Sequence, residues 1–331
     1  MFDKIPRLLV TGATGLLGNN ISRLAASLAV HTTTLARSPK SHPSLRELNC
    51  EHIQADITND NLLDLLPEAG FDAVIHAAAK IHIGWKNLED SLKVNEQGTR
   101  RLLEWARRTS TRFVHVSTVN CLSLGTRELP ANEQSIGGIQ TPSSYVVSKQ
   151  AAQRVCDEAI QRGDDCYAVY PGFMLGPYDW QMSSGKMIAA LQTFRPWAPG
   201  GGCSVCDPRD VGAATLTIAL NGAPSRHYVL AGQNVTYLEL WRQIANLLGT
   251  RPPVIAMRKP AQVVGKLLAD VSNRFRNEES DFNSAAIEMA QQFHFYDSGR
   301  AKTELGYTSR PYTESLRDAV DWLRLRKLLK R

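Results

Sequence analysis

Apolar positions in the first half of the chain fall into alternating blocks. RLLVTGA, beginning at Arg7, is a short unbroken apolar run and predicts a buried strand. NNISRLAASLA repeats its apolar residues at helical spacing. VHTTTLAR is β-branched and predicts a second strand; HPSLRELN follows, then CEHIQADI as a third. NLLDLLPEA predicts a helix, FDAVIHAAA a fourth strand, and SLKVNEQGTRRLLEWARR a long amphipathic helix. RFVHVST predicts a fifth strand, SYVVSKQAAQRVCDEAIQR a second long helix, DCYAVYPG a sixth strand and RHYVLAG a seventh. Strands separated by helices require parallel crossover units. The predicted class is therefore α/β, a doubly wound parallel sheet of Rossmann type.

After Pro171 the pattern becomes irregular. GPYDW, PWAPGGG and RPPVIAMRKP are rich in Pro, Gly and aromatic residues. Two helical stretches follow, AQVVGKLLADVSNRF and ESLRDAVDWLRLRKLL. This predicts a smaller substrate-binding lobe at the carboxyl edge of the sheet, where open α/β sheets bind ligands. The expected division is a dinucleotide-binding core over residues 1–175, joined by a later strand near 226–232, with the lobe in 176–225 and 233–331.

Composition narrows the class. Of 331 residues, 43% are apolar and 21% charged, which excludes disorder and a membrane bundle as defaults. No run approaches the roughly 18 apolar residues of a spanning helix. MFDKIPRLLV runs straight into a strand pattern, so no cleaved signal peptide is expected. The net charge is +6, and five of the last eight residues, RLRKLLKR, are basic. Positive charge at a helix C-terminus suits the macrodipole, so a solvated helix end is the preferred reading. The alternative is weak peripheral contact between the basic C-terminus and an anionic membrane. No nucleic-acid partner is expected, since no such fold signature accompanies the charge. Six scattered cysteines suit a reducing compartment, hence a cytoplasmic location. Cys203 and Cys206 form a lone C-x-x-C with no second pair nearby, so no metal site is expected.

The chemistry begins between the first strand and the first helix. Gly12, Gly15 and Gly18 are spaced G-x-x-G-x-x-G. A turn this tight needs glycine where a side chain would clash or φ is positive. The free N–H groups at the start of the following helix can hold a pyrophosphate. The second strand then ends at Arg37, with Lys40 nearby, where NAD sites usually place a carboxylate for the ribose hydroxyls. Arginine pairs with a 2′-phosphate, so NADP(H) is the expected cofactor ahead of NAD(H).

Tyr145 and Lys149 stand four residues apart on a predicted helix and share a face. Tyrosine titrates near pH 10, too high for efficient proton transfer at neutrality. An adjacent ammonium stabilises the phenolate, so the expected Tyr145 pKa is depressed. Upstream, a strand ends in Ser117 and Thr118, whose hydroxyls could reach the same carbonyl oxygen.

With these segments in view, nearly the whole chain resembles the extended short-chain dehydrogenase/reductase superfamily. TGATGLLG (Thr11–Gly18, including Thr14, Leu16 and Leu17) is similar to its cofactor loop. QADI resembles the segment whose aspartate, here Asp56 beside Ile57, sits near adenine. VIHAAA, ending in Ala77, Ala78 and Ala79, resembles the strand that lines the cofactor. VNEQGTRRLLEWA carries the family's asparagine at Asn95, and YVVSK its Tyr/Lys pair. YPGFMLGPYD, with Pro171, Gly172 and Met174, resembles the segment beside the nicotinamide; DPRDVG and YDSGRAKTELGY resemble later landmarks. Within the superfamily the chain is most similar to the dihydroflavonol 4-reductase and 3β-hydroxysteroid dehydrogenase-like group.

The resemblance implies a Ser/Thr–Tyr–Lys triad of Tyr145, Lys149 and a hydroxyl at Thr118, with Ser117 as the alternative. It also adds Val116 to the cofactor-binding set and implies a homodimer through two long helices. The implied reaction is hydride transfer between a carbonyl and a secondary alcohol on a small or medium-sized organic substrate. The alternatives are a nucleotide-sugar epimerase or dehydratase, for which Arg209, Arg258 and Lys259 are the candidate basic residues, and a non-catalytic dinucleotide sensor. His82 and Trp85 lie in the loop after the fourth strand and are candidate substrate contacts, as are Phe173 and Tyr178. His76 is expected to pack beside the cofactor, and His294 and Asp297 to be structural.

Overall fold

The computed structural model describes residues 5–329 apart from 69, 137, 258–278 and 281–282. Its first strand shows why the N-terminal apolar run is continuous. In β1 (Arg7–Thr11), Leu8 and Val10 pack on one face with Leu17, Ile21 and Ala25 of α1 (Leu16–Ser27). Leu9 points to the other face, among Leu35, Val74 and Phe113. With both faces covered, no polar alternation is permitted. Each such buried side chain contributes roughly 1.5–3 kcal/mol relative to exposure.

The same units repeat. In chain order they are β2 (His31–Ala36), α2 (Pro43–Arg46), β3 (Glu51–Gln54), α3 (Leu62–Leu65), β4 (Ala73–His76), α4 (Leu88–Leu92), α5 (Gly98–Arg108), β5 (Arg112–Val116), α6 (Ser144–Gln161) and β6 (Cys166–Pro171). Beyond these come β7 (Phe173–Met174), α7 (Gly185–Ala190), β8 (Trp197–Ala198), β9 (Gly202–Cys206), α8 (Pro208–Asn221), β10 (His227–Leu230), β11 (Gln233–Thr236), α9 (Tyr237–Leu248), β12 (Ile255–Ala256) and β13 (Phe293–His294). The seven-stranded sheet runs β10-β6-β5-β4-β1-β2-β3 and is parallel throughout. It is a doubly wound Rossmann-type sheet. The order reverses between β1 and β4, which opens the ligand crevice at their carboxyl ends.

Three departures from the predicted elements have physical causes. The long helix expected from Ser91 is split by a π-helical turn, Lys93–Gln97, which carries Asn95. The helix expected in NLLDLLPEA is a single turn, stopped by Pro67 soon after Leu65, and HPSLRELN forms another single turn. The irregular Gly-rich stretch PWAPGGG runs into β9, the centre of a second sheet ordered β11-β9-β13, with β7 also paired to β9. Glycine is needed there. A Cβ at Gly201 would stand 2.1 Å from the Gln292 carbonyl oxygen, and one at Gly202 2.6 Å from that of Val235.

Cys203 and Cys206 lie on β9, three residues apart, so their side chains take opposite faces. Cys203 joins the apolar core of the lobe and Cys206 that of the large sheet. Among the described residues no group of three or more metal-type side chains is gathered, and no helix is long and apolar enough to cross a membrane. The predicted helix AQVVGKLLADVSNRF, with Arg258 and Lys259 before it, lies outside the described residues. The last helix spans Tyr312–Leu325. The tail beyond it is partly consumed by packing: Arg326 bonds both Glu47 oxygens at 2.8 and 2.9 Å and lies over Trp180, while Arg324 donates to the Leu247 carbonyl.

Candidate active site

The glycine loop is built by close backbone approach. Gly12 has φ +74°, and a Cβ there would meet Ala77 C and Ala78 N at 2.6 Å. A Cβ on Gly18 would come within 2.4 Å of the Gly12 carbonyl oxygen. Gly15 is different: its nearest neighbour would be the Gly12 oxygen, at 3.3 Å. Helix α1 starts at Leu16 with no side-chain cap and no acidic residue in its first turn. Its N-terminus therefore offers amide N–H groups and positive dipole to an anion. Asn19 and Asn20, which the glycine spacing does not reveal, fix the loop. Asn19 donates to the Ala13 and Ser44 carbonyls (2.9 and 2.8 Å); Asn20 donates to those of Leu16 and Pro177 (2.8 and 3.0 Å).

Behind the loop, the Thr11 hydroxyl bonds His76 Nδ1 at 2.8 Å and accepts from Ala78 N, while His76 Nε2 meets Thr99. Burial, with the Lys149 charge nearby, pushes the His76 pKa down to about 3, so the ring is a neutral strut. At the end of β2, the Arg37 side chain is exposed and its Nε lies 4.0 Å from Asp56 Oδ2. The other Asp56 oxygen accepts from Thr58 N and Oγ1. Lys40 does not join Arg37; its ammonium donates to the Leu48 and Cys50 carbonyls at 2.8 Å each.

Ala77, Ala78 and Ala79 follow β4, and Asn95 holds the chain just beyond them. Its side chain accepts from Lys80 N (2.8 Å) and donates to Lys80 O and to Ser148 Oγ on α6. Asn95 thus ties the chain after β4 to the helix that carries Tyr145. Ser148, inside the same YVVSK run, is its partner.

The first turn of α6 is held by the loop after β4. Ser144 N donates to Gly84 O (2.8 Å), Tyr145 N to His82 O (3.1 Å), and Ser144 Oγ to Lys86 O (2.6 Å). That loop is in turn clamped from the lobe. Glu279 accepts from His82 Nε2 (3.1 Å), Trp85 N (3.2 Å) and Lys86 N (2.9 Å). Trp85 Nε1 donates to Ser284 Oγ, and Asn283 Nδ2 to the Ile83 carbonyl. His82 and Trp85, candidates for substrate contact, therefore use their polar atoms to fasten the loop. Nothing near Glu279, Asn283 or Ser284 in the sequence signals this role, because their partners lie some two hundred positions away.

Tyr145 is half-buried, with Thr118 beside its phenol. Burial pushes the phenol up to about 12, and the Thr118 hydrogen bond only partly offsets this. The expected depression by Lys149 is not found. The buried Lys149 ammonium donates to the Val116 carbonyl at 2.7 Å, and burial lowers its own pKa. Ser117 is also buried, beside Cys121.

On the far side of the crevice, Pro171 closes β6 and Gly172 passes so near Ser204 that a Cβ would lie 2.4 Å from its carbonyl oxygen. Phe173 and Met174 pair with Val205 and Cys206. Tyr178, a candidate for the pocket wall, packs against two neighbours. At φ +70°, its ring lies under the Arg23 guanidinium (3.9 Å) and edge-on to Trp322. Arg209, the basic residue considered for a sugar diphosphate, is paired instead with Asp207 and Asp318 at 2.7 and 2.6 Å.

A loop of close-packed glycines at the switch point of a Rossmann sheet, faced by a Thr–Tyr–Lys set, defines an NAD(P)-dependent enzyme of the extended short-chain dehydrogenase/reductase superfamily. Residues 8–230 match the model of the NAD dependent epimerase/dehydratase family, and the chain belongs to that family. It is 27% identical to sterol demethylase protein B of Methylococcus capsulatus, over 97% of this chain and 99% of the relative. A putative dihydroflavonol 4-reductase of Synechocystis sp. and a ceramide reductase of Caulobacter vibrioides are each 26% identical, over 95% of this chain and 93% of theirs. Among solved structures, that of gox2253 superposes with a TM-score of 0.82 at 25% identity, covering 99% of this chain and all of the other.

Proposed function

We propose that the chain is an NADP(H)-dependent reductase that interconverts a carbonyl and a secondary alcohol on a medium-sized, largely apolar organic substrate. The observation that carries this reading is the pairing of Thr118 with a Tyr145 phenol held near pKa 12, next to the buried Lys149. The cradle fits a dinucleotide. A Cβ on Gly15, where the uncapped α1 begins, would meet only the Gly12 carbonyl oxygen, at 3.3 Å, and the Lys149 ammonium has donors beyond the one spent on Val116. Gly12, Thr14, Gly15, Leu16, Leu17 and Gly18 would hold the pyrophosphate. Arg37, Asp56 and Ile57 would meet the adenosine half. Ala77–Ala79, Val116, Pro171, Gly172 and Met174 would line the nicotinamide half. The bound cofactor supplies the hydride.

The chain's own residues supply the proton and hold the oxygen. Thr118 donates a hydrogen bond to the substrate oxygen, with Ser117 behind it. As negative charge develops on that oxygen, Tyr145 transfers its proton to it. A phenol near pKa 12 stays protonated at neutral pH and is still far more acidic than an alcohol, so the transfer runs downhill in the direction of reduction. Lys149 holds positive charge beside the reacting groups.

The epimerase or dehydratase reading draws on the family name and on a relative named dTDP-glucose 4,6-dehydratase, 25% identical over 96% of this chain. Against it, Arg209 is spent on two aspartates. The relatives named for sterol, ceramide and dihydroflavonol substrates support an apolar carbonyl compound. The test is a panel of sterol, long-chain and flavonoid ketones, followed by loss of reduced-cofactor absorbance. Turnover of a sugar nucleotide with no turnover of any ketone would overturn the proposal.

A further inference from the structure

We infer that the outer face of the small β8–β12 ribbon is a docking surface for an anionic membrane. In the parallel pair, Trp197 stands directly beside Ile255. The pleat sends the next residue of β8, Ala198, inward to full burial, while Trp197 and Ile255 remain 55% and 50% exposed. Phe194 and Val254 extend the apolar surface, at 49% and 63% exposure, and Val254 N bonds the Pro196 carbonyl, which joins the two segments. An exposed ribbon face ordinarily carries polar residues; this one presents Trp197 and Ile255, with Phe194 and Val254 exposed next to them in sequence.

The charged residues that flank the patch in sequence are basic. Among the described residues, 187–201 and 243–257 contain Arg195 and Arg251 and no Asp or Glu, while Arg242 is spent on the Pro253 and Val254 carbonyls at 3.1 and 2.7 Å. Arg195 and Arg251 flank the apolar residues in sequence and are exposed. Tryptophan and phenylalanine set among arginines match the headgroup boundary of a negatively charged bilayer, where rings enter the interface and guanidinium groups meet phosphate. The basic C-terminus is less available, since Arg324 and Arg326 are bonded within the fold. The inference is independent of which substrate the active site takes.

Sedimentation with vesicles tests it without any turnover assay. The full chain should pellet with vesicles of equimolar phosphatidylcholine and phosphatidylglycerol, and much less with phosphatidylcholine alone. Trp197→Ser with Ile255→Ser should abolish pelleting while thermal melting and cofactor binding stay at parental values, because both side chains face solvent. Arg195→Glu and Arg251→Glu should each weaken binding by about fivefold or more, the worth of one basic residue at such a surface. Three results would each overturn the inference. The parent could remain in the supernatant with anionic vesicles. The patch variants could pellet like the parent, with binding lost only on removing residues 324–331. Sedimentation equilibrium could reveal a dimer that the Trp197 and Ile255 changes dissociate, which would make the patch a contact between copies.

Discussion

Glu279 and His82 are 197 positions apart in the sequence and 3.1 Å apart in the fold. Through that contact and two backbone N–H groups, a buried carboxylate of the lobe fixes the loop whose carbonyls receive the first amides of α6. Tyr145 is one of the residues so held.

Replacing Glu279 by Ala should therefore loosen this loop. The N–H groups of Trp85 and Lys86 lose their acceptor, at a cost of roughly 1–3 kcal/mol. Hydrogen exchange at those two amides should accelerate while the strands of the main sheet keep their protection. Glu279→Gln retains an acceptor oxygen and should recover part of the effect. Burial alone would raise the Glu279 pKa, but the Lys86 and Trp85 amides and His82 outweigh it and the pKa is lowered. The stabilisation is therefore complete above the ordinary glutamate value of 4.5 and disappears as pH falls through the lower folded value. The melting-temperature gap between parent and Glu279→Ala should close in acid; a gap that persists at low pH would mean the carboxylate charge is not what holds the loop.

The three loop glycines should separate by role. Gly12→Ala and Gly18→Ala each drive a methyl into backbone, at 2.6 and 2.4 Å, and should lower thermal stability whether or not a dinucleotide is present. Gly15 at φ −89° has a backbone any residue adopts, and its Cβ would meet the Gly12 carbonyl oxygen only at 3.3 Å, so Gly15→Val should cost less stability than the other two yet lose cofactor affinity. Calorimetric binding and a melt of the same samples distinguish these outcomes. Parental affinity in a folded Gly15→Val protein would remove the pyrophosphate assignment.

What the sequence disclosed and what it hid follow one physical division. The central strands of the parallel sheet were legible because they are buried on both faces and read as short apolar runs, and β2 because it is β-branched. Tyr145 and Lys149 were legible because their spacing is local to one helix. The lobe sheet was not, because Gly201 and Gly202 are chosen for close strand approach and carry no apolar pattern. The Glu279 clamp and the Arg23–Tyr178 stack were not, because each joins distant segments that no local window contains. The pKa of Tyr145 was misjudged for a related reason: spacing places Lys149 on the same face, but only the packed structure shows its ammonium turned to Val116.

Cofactor preference should follow Arg37. Its guanidinium is exposed at the carboxyl end of β2 and only loosely drawn to Asp56, so it is available to a 2′-phosphate. The parent should bind NADP(H) more tightly than NAD(H), and Arg37→Asp should narrow or reverse the ratio. Lys40→Ala should leave the ratio unchanged, because that ammonium is held by the Leu48 and Cys50 carbonyls. Equal affinities in the parent, measured by calorimetry, would end the Arg37 argument.

The proton donor gives the sharpest test of the proposed reaction. Tyr145→Phe removes the only group assigned to protonate the substrate oxygen and should lower kcat by roughly 10²–10⁴. Cofactor affinity should change little, because the phenol is aimed at substrate. Thr118→Ser keeps a hydroxyl and should stay active, whereas Thr118→Val should not. Lys149→Met should lose both rate and cofactor affinity. The pH profile adds a second criterion. With the phenol pushed up to about 12 by burial, the donor stays protonated from neutral to mildly alkaline pH, and kcat for reduction should be flat across that range. A fall in kcat centred below the ordinary tyrosine value of 10.0 would show that Lys149 turns to the phenol in the working complex. Near-parental turnover by Tyr145→Phe would show that the proton comes from another group, and the mechanism proposed for this site would fail.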